Sequence, residues 1–429
     1  MENKNLLCRL CGKPLNFTFA DLGVQPLCES YLTGDQLIEM EPTYPLHVYF
    51  CQECFLVQLE ESITPQDIYK KYAYFSSSSK GWLRHSENYS QMIIDKLALN
   101  SDSRVIEVAS NDGYLLDFFA KRNIPILGIE PASNVAEDAI KKGVPTIIQF
   151  FNKKTAIELT KQNKQADLLI ANNIIAQVPD LNDFVDGLKI LLKPSGILTL
   201  EFHYLKNLME KSQFDTISHE RFSYFSFFVI EKLLTSHGLK IFDVEELPTH
   251  GGSLRIYACH NENQLIPQTC RPEEIKNAEK VAGLTEIDMY LSFGEKVKET
   301  KRNLLSKLIE IKRSGESIIG YGAHAEAHTL LNYCGIRRDF LDYLVDRNPT
   351  KQGKYLAGTR LPIFSPEKIH ETKPSYVLVL PWSIKKEIMS QMSHIGKWGG
   401  RFIVPIPKLE IYDAIGNELT KSSNKEESV

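Results

Sequence analysis

Residues 80–245 show two alternating patterns of apolar and polar positions. Short apolar runs predict buried strands at 105–109, 126–130, 145–149, 167–171 and 196–201. Apolar residues spaced at helical period predict helices at 81–98, 114–121, 133–142, 153–162 and 181–192. Alternation of this kind implies an α/β fold with a mostly parallel, doubly wound sheet. Lys193-Pro194-Ser195-Gly196 reads as the turn before the last of these strands. Residues 265–312, rich in Glu and Lys with spaced Leu and Ile, predict one or two connecting helices. A smaller α/β unit follows, with strands expected near Ser317, from Leu341 to Val345, from Pro374 to Leu380 and from Arg401 to Val404. From about Asn417 the chain turns polar and is expected to be disordered.

The stretch from Val105 to Leu116 organises the chain. Val105 to Val108 is a strand, Ser110-Asn111-Asp112-Gly113 a turn, and a helix starts near Tyr114. Strand, tight turn and helix N-terminus form a seat for a nucleotide-like cofactor. The turn lacks the G-x-G-x-x-G that lets backbone approach a pyrophosphate. One glycine among polar side chains fits a cofactor without phosphates, such as S-adenosylmethionine (SAM). Glu107 and Asp112 suit its positive charges. Ile126 to Glu130 is a second strand ending in an acid, placed to take both hydroxyls of a ribose. Asp167 to Asn173 brings Asn172 and Asn173 to the carboxyl edge, where ligands bind. The other reading is an ordinary strand-turn-helix.

Composition narrows the function. The chain has 429 residues and a net charge of -4, without the basic footprint of a nucleic-acid binder. No apolar run has the length of a membrane span, and the N-terminus does not read as a signal peptide, so a cytoplasmic enzyme is expected. Of eight cysteines, four form two C-x-x-C pairs, Cys8/Cys11 and Cys51/Cys54. Two such pairs complete a closed tetrahedral site, which makes the expected zinc structural. Reduced thiols without metal, or a redox pair, are the other readings.

Four further motifs carry candidate chemistry. Tyr72 to Ser79 is aromatic and rich in hydroxyls, a linker or a lid over the cofactor strand, with Tyr72 and Tyr74 as candidates. Ser218-His219-Glu220-Arg221 sets a histidine, a carboxylate and a guanidinium side by side near Tyr224, although successive positions point in different directions. His250-Gly251-Gly252-Ser253-Leu254-Arg255 is a glycine turn leading into a strand that either wraps a ligand or is only a turn. Gly320-Tyr321-Gly322-Ala323-His324-Ala325 followed by Asp346 is a short G-x-G-x-x-A dinucleotide fingerprint.

Together these motifs resemble the deoxysugar C-methyltransferases of nucleotide-sugar pathways, from Cys8 to about Pro407. The resemblance rests on Ser110 to Gly113, Ala171-Asn172-Asn173, His250 to Arg255, Asp346-Arg347-Asn348-Pro349 with Lys351-Gln352-Gly353, and Pro381-Trp382. It implies a zinc unit at 1–70, a SAM-binding methyltransferase domain at 71–265, a Rossmann-like domain at 266–415 and a tail at 416–429. It also implies that a nucleotide-linked 4-keto-6-deoxysugar loses the C3 proton and that the enolate takes the SAM methyl group. The implied cofactor set is Glu107, Ser110, Asn111, Asp112, Gly113, Tyr114, Leu115, Glu130, Pro131, Phe150, Phe151, Asn172, Asn173 and Gln177. Substrate candidates are Tyr224, His250, Gly252, Ser253, Arg255, Tyr321, His324, Asp346, Lys351 and Trp382. Glu220 is the expected base, with His219, Arg221, Tyr72 and Tyr74 beside it, in a monomer or dimer.

The chain departs from the family pattern at Gln177, Ser218 and Arg221, where the family has His, Tyr and His. In the C-terminal turn, Glu326 stands for a lysine, with His324 and His328 new beside it. Neither glutamine nor serine serves as a base near neutral pH, and arginine stays protonated. The expectation is therefore retained SAM binding with altered acceptor chemistry: carbon or oxygen methylation, epimerisation, an NAD-dependent redox step, or binding alone.

Overall fold

The computed structural model describes residues 6–61, 63–64 and 75–419. By compactness the chain divides into two units, each built from several segments. The first comprises Met1–Phe17, Tyr49–Lys206 and Glu220–Ile287, and the second Thr18–Val48, Asn207–His219 and Asp288–Val429.

Four short strands come first in the chain: β1 (Phe17–Gln25), β2 (Tyr31–Leu32), β3 (Tyr44–Phe50) and β4 (Val57–Leu59). The cofactor sheet then uses β5 (Val105–Val108), β6 (Ile126–Ile129), β7 (Thr146–Ile147), β8 (Ala166–Asn172) and β9 (Leu192–His203). After β10 (Ser223–Tyr224), which pairs with β4, it is completed by β11 (Leu239–Leu247) and β12 (Ser253–His260). The order is β11-β12-β9-β8-β5-β6-β7. β5 to β9 run parallel, whereas β12 is antiparallel to both β9 and β11. The topological switch lies at β5, between β6 and β8, where the crevice outside the carboxyl ends takes ligands.

The predicted helices occur at Lys80–Leu97, Leu116–Ala120, Ser133–Lys141, Lys153–Lys161 and Leu181–Leu191. Ser79, Asn152 and Asp180 each accept a backbone N–H of the first turn and so mark where three of them begin. One sheet face is filled by Leu169, Ala171, Leu198 and Leu200 against Leu181, Val185 and Leu188. The other is filled by Val105, Leu168 and Ile170 with Tyr89, Ile93, Leu116 and Phe119. Two strand expectations need adjusting. The strand expected at 145–149 shrinks to β7, and Lys193 to Gly196 is not a turn before the strand but a bulge inside β9. There the register jumps from Ala166↔Leu192 to Leu168↔Ile197.

In the second unit, β13 (Ile318–Tyr321), β14 (Leu344–Val345), β16 (Ile363–Phe364), β17 (Tyr376–Val379), β18 (Arg401–Val404) and β19 (Glu410–Tyr412) form a sheet ordered β16-β14-β13-β17-β18-β19. All are parallel except β19. β15 (Tyr355–Leu356) pairs antiparallel with β2, and Phe19 stacks on Phe293 at 4.4 Å between centroids. Backbone order continues past Asn417, because Leu419 donates to Ile411 O at 2.7 Å and Asn417 is tied to Asp413. The polar residues 420–429 lie outside the described residues, as do Tyr72 and Tyr74.

Candidate functional site

The two C-x-x-C turns meet. Cys8 Sγ lies 3.5 Å from Cys54 Sγ, Cys11 Sγ lies 3.5 Å from Cys51 Sγ, and all four sulfurs are within 4.8 Å of one another. A tetrahedral zinc with Zn–S bonds of about 2.3 Å needs sulfurs about 3.8 Å apart, so the thiols fit the ion. Each turn is closed by backbone hydrogen bonds, Gly12 N to Cys8 O at 2.8 Å and Phe55 N to Cys51 O at 2.8 Å. Gln58 Nε2 donates to Cys8 Sγ at 3.2 Å, which stabilises a thiolate there. No fifth donor is present among the described residues, so the site is closed and structural.

At the end of β5 the backbone turns sharply through left-handed conformations at Ala109, Asn111 and Gly113 (φ 59°, 49° and 75°). A Cβ at Gly113 would lie 2.9 Å from Val144 Cγ2, so both the angle and the packing require glycine. The turn is locked by Glu130, whose two carboxylate oxygens accept Asn111 N and Ala132 N, each at 2.9 Å. Glu130 therefore shapes the turn. Ser76 N donates to Asn111 Oδ1 at 3.0 Å and Ser77 Oγ to Asp112, which fastens the hydroxyl-rich segment onto the turn.

Buried carboxylates dominate this seat. Glu107 interrupts the fully buried strand β5 and, among the described residues, its Oε2 has no hydrogen-bond partner; neither has Asp112 Oδ1, Ser110 Oγ, Asn172 Oδ1 or Asn173 Nδ2. Burial, followed by the charges of Glu130 and Asp112, pushes the Glu107 carboxyl well above the usual carboxylate range. Burial also raises Glu130, against the pull of Ala132 N and Asn111 N. Unpartnered donors and acceptors around buried acids fit a polar ligand carrying positive charge, as SAM is. Tyr114 is half-buried beside the turn and Leu115 is buried under it. Pro131, Phe150, Phe151 and Gln177 are half-buried at the ends of the neighbouring strands, with Phe151 edge-on to Phe184 at 5.5 Å.

A second polar group stands at the carboxyl end of β9, and the pattern reading missed most of it. Glu201 is wholly buried in the sheet. It accepts from Arg255 Nη2 at 3.0 Å, meets His85 Nε2 at 3.2 Å, and accepts from Thr249 Oγ1 at 3.2 Å. Burial alone would raise the Glu201 carboxyl, but His85 and Arg255 outweigh it and hold the group below its ordinary value. Arg255 also lies over the Tyr89 ring, 4.5 Å from the centroid. Arg255, a substrate candidate by sequence, is thus committed to the sheet, with neighbours Gly252 and Ser253 also buried. Beyond it runs a chain of rings: Tyr114 is 6.5 Å from Trp82, Trp82 is 4.9 Å from His85 and 5.2 Å from His250, and His250 is 4.8 Å from His203. The signal in the sequence was Glu201, a charge inside an apolar run.

The three adjacent candidates have separate surroundings. His219 is buried with Nε2 3.3 Å from Tyr44 O, and burial lowers its pKa. Arg221 donates from Nη1 to His203 Nδ1 at 2.8 Å. Glu220 between them is partly exposed, and Tyr224 is buried in β10 opposite Val57.

In the second unit the dinucleotide-like turn is occupied by its own side chains. Asp346, a substrate candidate by sequence, accepts Ala323 N at 2.8 Å and Asn348 N at 2.8 Å. Lys351 Nζ donates to Ala323 O at 2.8 Å and pairs with Glu29 at 3.1 Å. His324 Nδ1 meets Glu326 at 2.6 Å, Trp382 Nε1 donates to Asp215 at 2.7 Å, and Tyr321 is buried in β13.

The chain matches known proteins along its length. Residues 8–69 match a zinc binding domain, 82–244 a methyltransferase domain and 248–407 a C-methyltransferase C-terminal domain. The C-methyltransferase NovU of Streptomyces niveus is 31% identical over 409 residues, covering 95% of this chain and 97% of that protein. Solved structures are similar at lower identity. The PH0226 protein of Pyrococcus horikoshii OT3 is 15% identical with a TM-score of 0.37, over 45% of this chain and 98% of that one. The magnesium protoporphyrin IX methyltransferase of Synechocystis PCC 6803, solved with bound SAH, is 15% identical with a TM-score of 0.34, over 42% and 84%. With its four-cysteine zinc site and its buried acidic cofactor seat, the chain belongs to the C-methyltransferase family and is a SAM-dependent methyltransferase.

Proposed function

We propose that this enzyme methylates a carbon next to the ketone of a nucleotide-linked keto-sugar, with Glu220 as the base. SAM supplies an electrophilic methyl group. The Glu220 carboxylate takes the proton from the acidic carbon, the electron pair left there forms the new bond to the methyl carbon, and S-adenosylhomocysteine leaves. The observation that carries this reading is the polar rim at the carboxyl end of β9 and the amino end of β12, where Arg255 lies opposite Glu201, His203 follows two residues later opposite Ser253, and Arg221 reaches His203. Similarity to a C-methyltransferase along nearly the whole chain supports the sugar-type acceptor. Because Gln177, Ser218 and Arg221 provide no base, turnover is expected to fall below that of relatives with the full histidine and tyrosine set.

The test is incubation with SAM and a 4-keto-6-deoxy nucleotide sugar in deuterated water. Methylated product with Glu220→Gln slower by about a hundredfold is the expected result. A loss of only a few-fold moves the base elsewhere, and deuterium entry without methyl transfer indicates an epimerase.

Cofactor affinity is expected to depend on pH. Glu107 and Glu130 have raised pKa values without ligand, and a cation beside them favours their ionised forms. Binding therefore releases protons, and SAM affinity is expected to rise with pH above the ordinary carboxylate range. Calorimetry in two buffers of different ionisation enthalpy measures the release. Proton uptake, or affinity independent of pH, would contradict the assignment.

A further inference from the structure

We propose that His203 is a catalytic hydrogen-bond donor, kept neutral by Arg221, that meets the oxygen on which charge develops as the acceptor carbon loses its proton. This rests on the methyl-transfer reading above and deepens it. Arginine is a donor only, so a guanidinium nitrogen 2.8 Å from His203 Nδ1 makes that nitrogen the acceptor. The ring proton then sits on Nε2. In this state His203 has no lone pair at Nε2 with which to remove a proton. It has an N–H, on a ring whose further protonation would place a second proton against Arg221. That is the requirement for stabilising an enolate without quenching it: a fixed donor that gives a hydrogen bond but no proton.

Position agrees with the chemistry. His203 is the last residue of β9, the strand next to β8, whose end carries Asn172 and Asn173. Asn173 N donates to Glu201 O at 2.6 Å, which joins the cofactor edge to the strand bearing His203. The chain of tilted rings from Tyr114 through Trp82 and His250 reaches the His203 ring from the cofactor turn. Among the described residues, the charged and titratable groups that face it include Arg221 on Nδ1 and His250 on its ring, with Glu220 next to Arg221 in sequence. Glu201, two residues earlier on the same strand face, is already neutralised by Arg255 and His85. Arg221 is a positioning residue: it acts through the tautomer of His203.

Nitrogen-15 NMR of the histidine-labelled full chain with SAM bound reads the tautomer directly. The expected spectrum has Nδ1 unprotonated and Nε2 protonated, with no titration of His203 down to about pH 5; Arg221→Met should restore titration near the ordinary pKa of about 6.5. A wild-type His203 that carries its proton on Nδ1, or titrates near 6.5, overturns the proposal. Kinetics separate a donor from a base. His203→Phe keeps a ring and loses the donor, and should lower kcat by about a hundredfold or more. His203→Gln keeps a neutral N–H and should recover at least about tenfold of that loss, whereas a base would be lost equally in both. Equal loss in the two variants, or a kcat for His203→Phe within about threefold of wild type, overturns the role. Formation of S-adenosylhomocysteine by the wild type tests the acceptor proposal separately, and the NMR result stands whichever sugar is turned over.

Discussion

Replacing Cys51 with serine is expected to leave the protein with little bound zinc and the N-terminal unit unfolded. Wild type purified without chelator should contain about one zinc per chain. Four sulfurs already within 4.8 Å of one another form a cage whose assembly is coupled to metal binding. Such sites release about 10–16 kcal/mol on binding zinc near pH 7, as much as the whole net stability of an ordinary domain. Here the knuckles also hold neighbouring chain in place. Cys8, Cys51 and Cys54 belong to the same buried cluster as Leu181 and Leu188, and Asn182 Nδ2 donates to Arg9 O at 3.0 Å. Arg9 in turn donates to Leu59 O at 2.8 Å and to Phe222 O. Loss of metal should therefore spread into the cofactor unit and lower SAM affinity. Metal analysis with circular dichroism checks this; a Cys51→Ser protein that melts like wild type would refute it.

Arg255→Met is expected to destabilise the cofactor unit by about 3–5 kcal/mol, the cost of stranding a buried carboxylate. Glu201 is wholly buried and its closest ion pair is Arg255 Nη2 at 3.0 Å. In the wild type the depressed Glu201 pKa contributes stability that is present above the unfolded value of about 4.3 and is lost as pH falls through the folded value. In the variant the carboxyl loses its main counter-charge and its pKa should rise. The deficit relative to wild type should then be largest near pH 7 and shrink towards pH 4, where the stranded acid is protonated. Denaturant melts at the two pH values measure it. Adding Glu201→Leu to Arg255→Met should recover much of the loss, because the penalty belongs to the unpaired charge. A double variant as unstable as the single one would show that packing, not charge, sets the cost.

Period and spacing were enough to place the cofactor strands and helices. The apolar runs at 105, 126, 167 and 196 became β5, β6, β8 and β9 because a strand buried on both faces must be apolar throughout. The C-x-x-C pairs and the Asn111–Gly113 turn were equally legible, since their chemistry depends on neighbours in sequence. Glu107 stood out as an acid at the cofactor strand, and Glu201, which the pattern reading passed over, carries the same signal of a charge in an apolar run, tolerated in a folded protein only for a partner or a ligand.

Local pattern did not reach contacts made across the sheet. His85, Glu201 and Arg255 come from a helix, β9 and β12, and antiparallel register alone sets Arg255 opposite Glu201. That register turned a presumed substrate ligand into a structural ion pair. Arg221 looked like one member of a charged triplet with His219 and Glu220, yet it donates to His203, eighteen residues earlier. In the second unit, Asp346 and Lys351 were substrate candidates by resemblance, and folding pairs them with Ala323 N and Ala323 O. Sequence determines which groups the chain owns and how each segment curls, because those forces act over a few residues. Which buried charge answers which is decided by tertiary packing, where desolvation makes every unpaired polar group costly enough to select its partner.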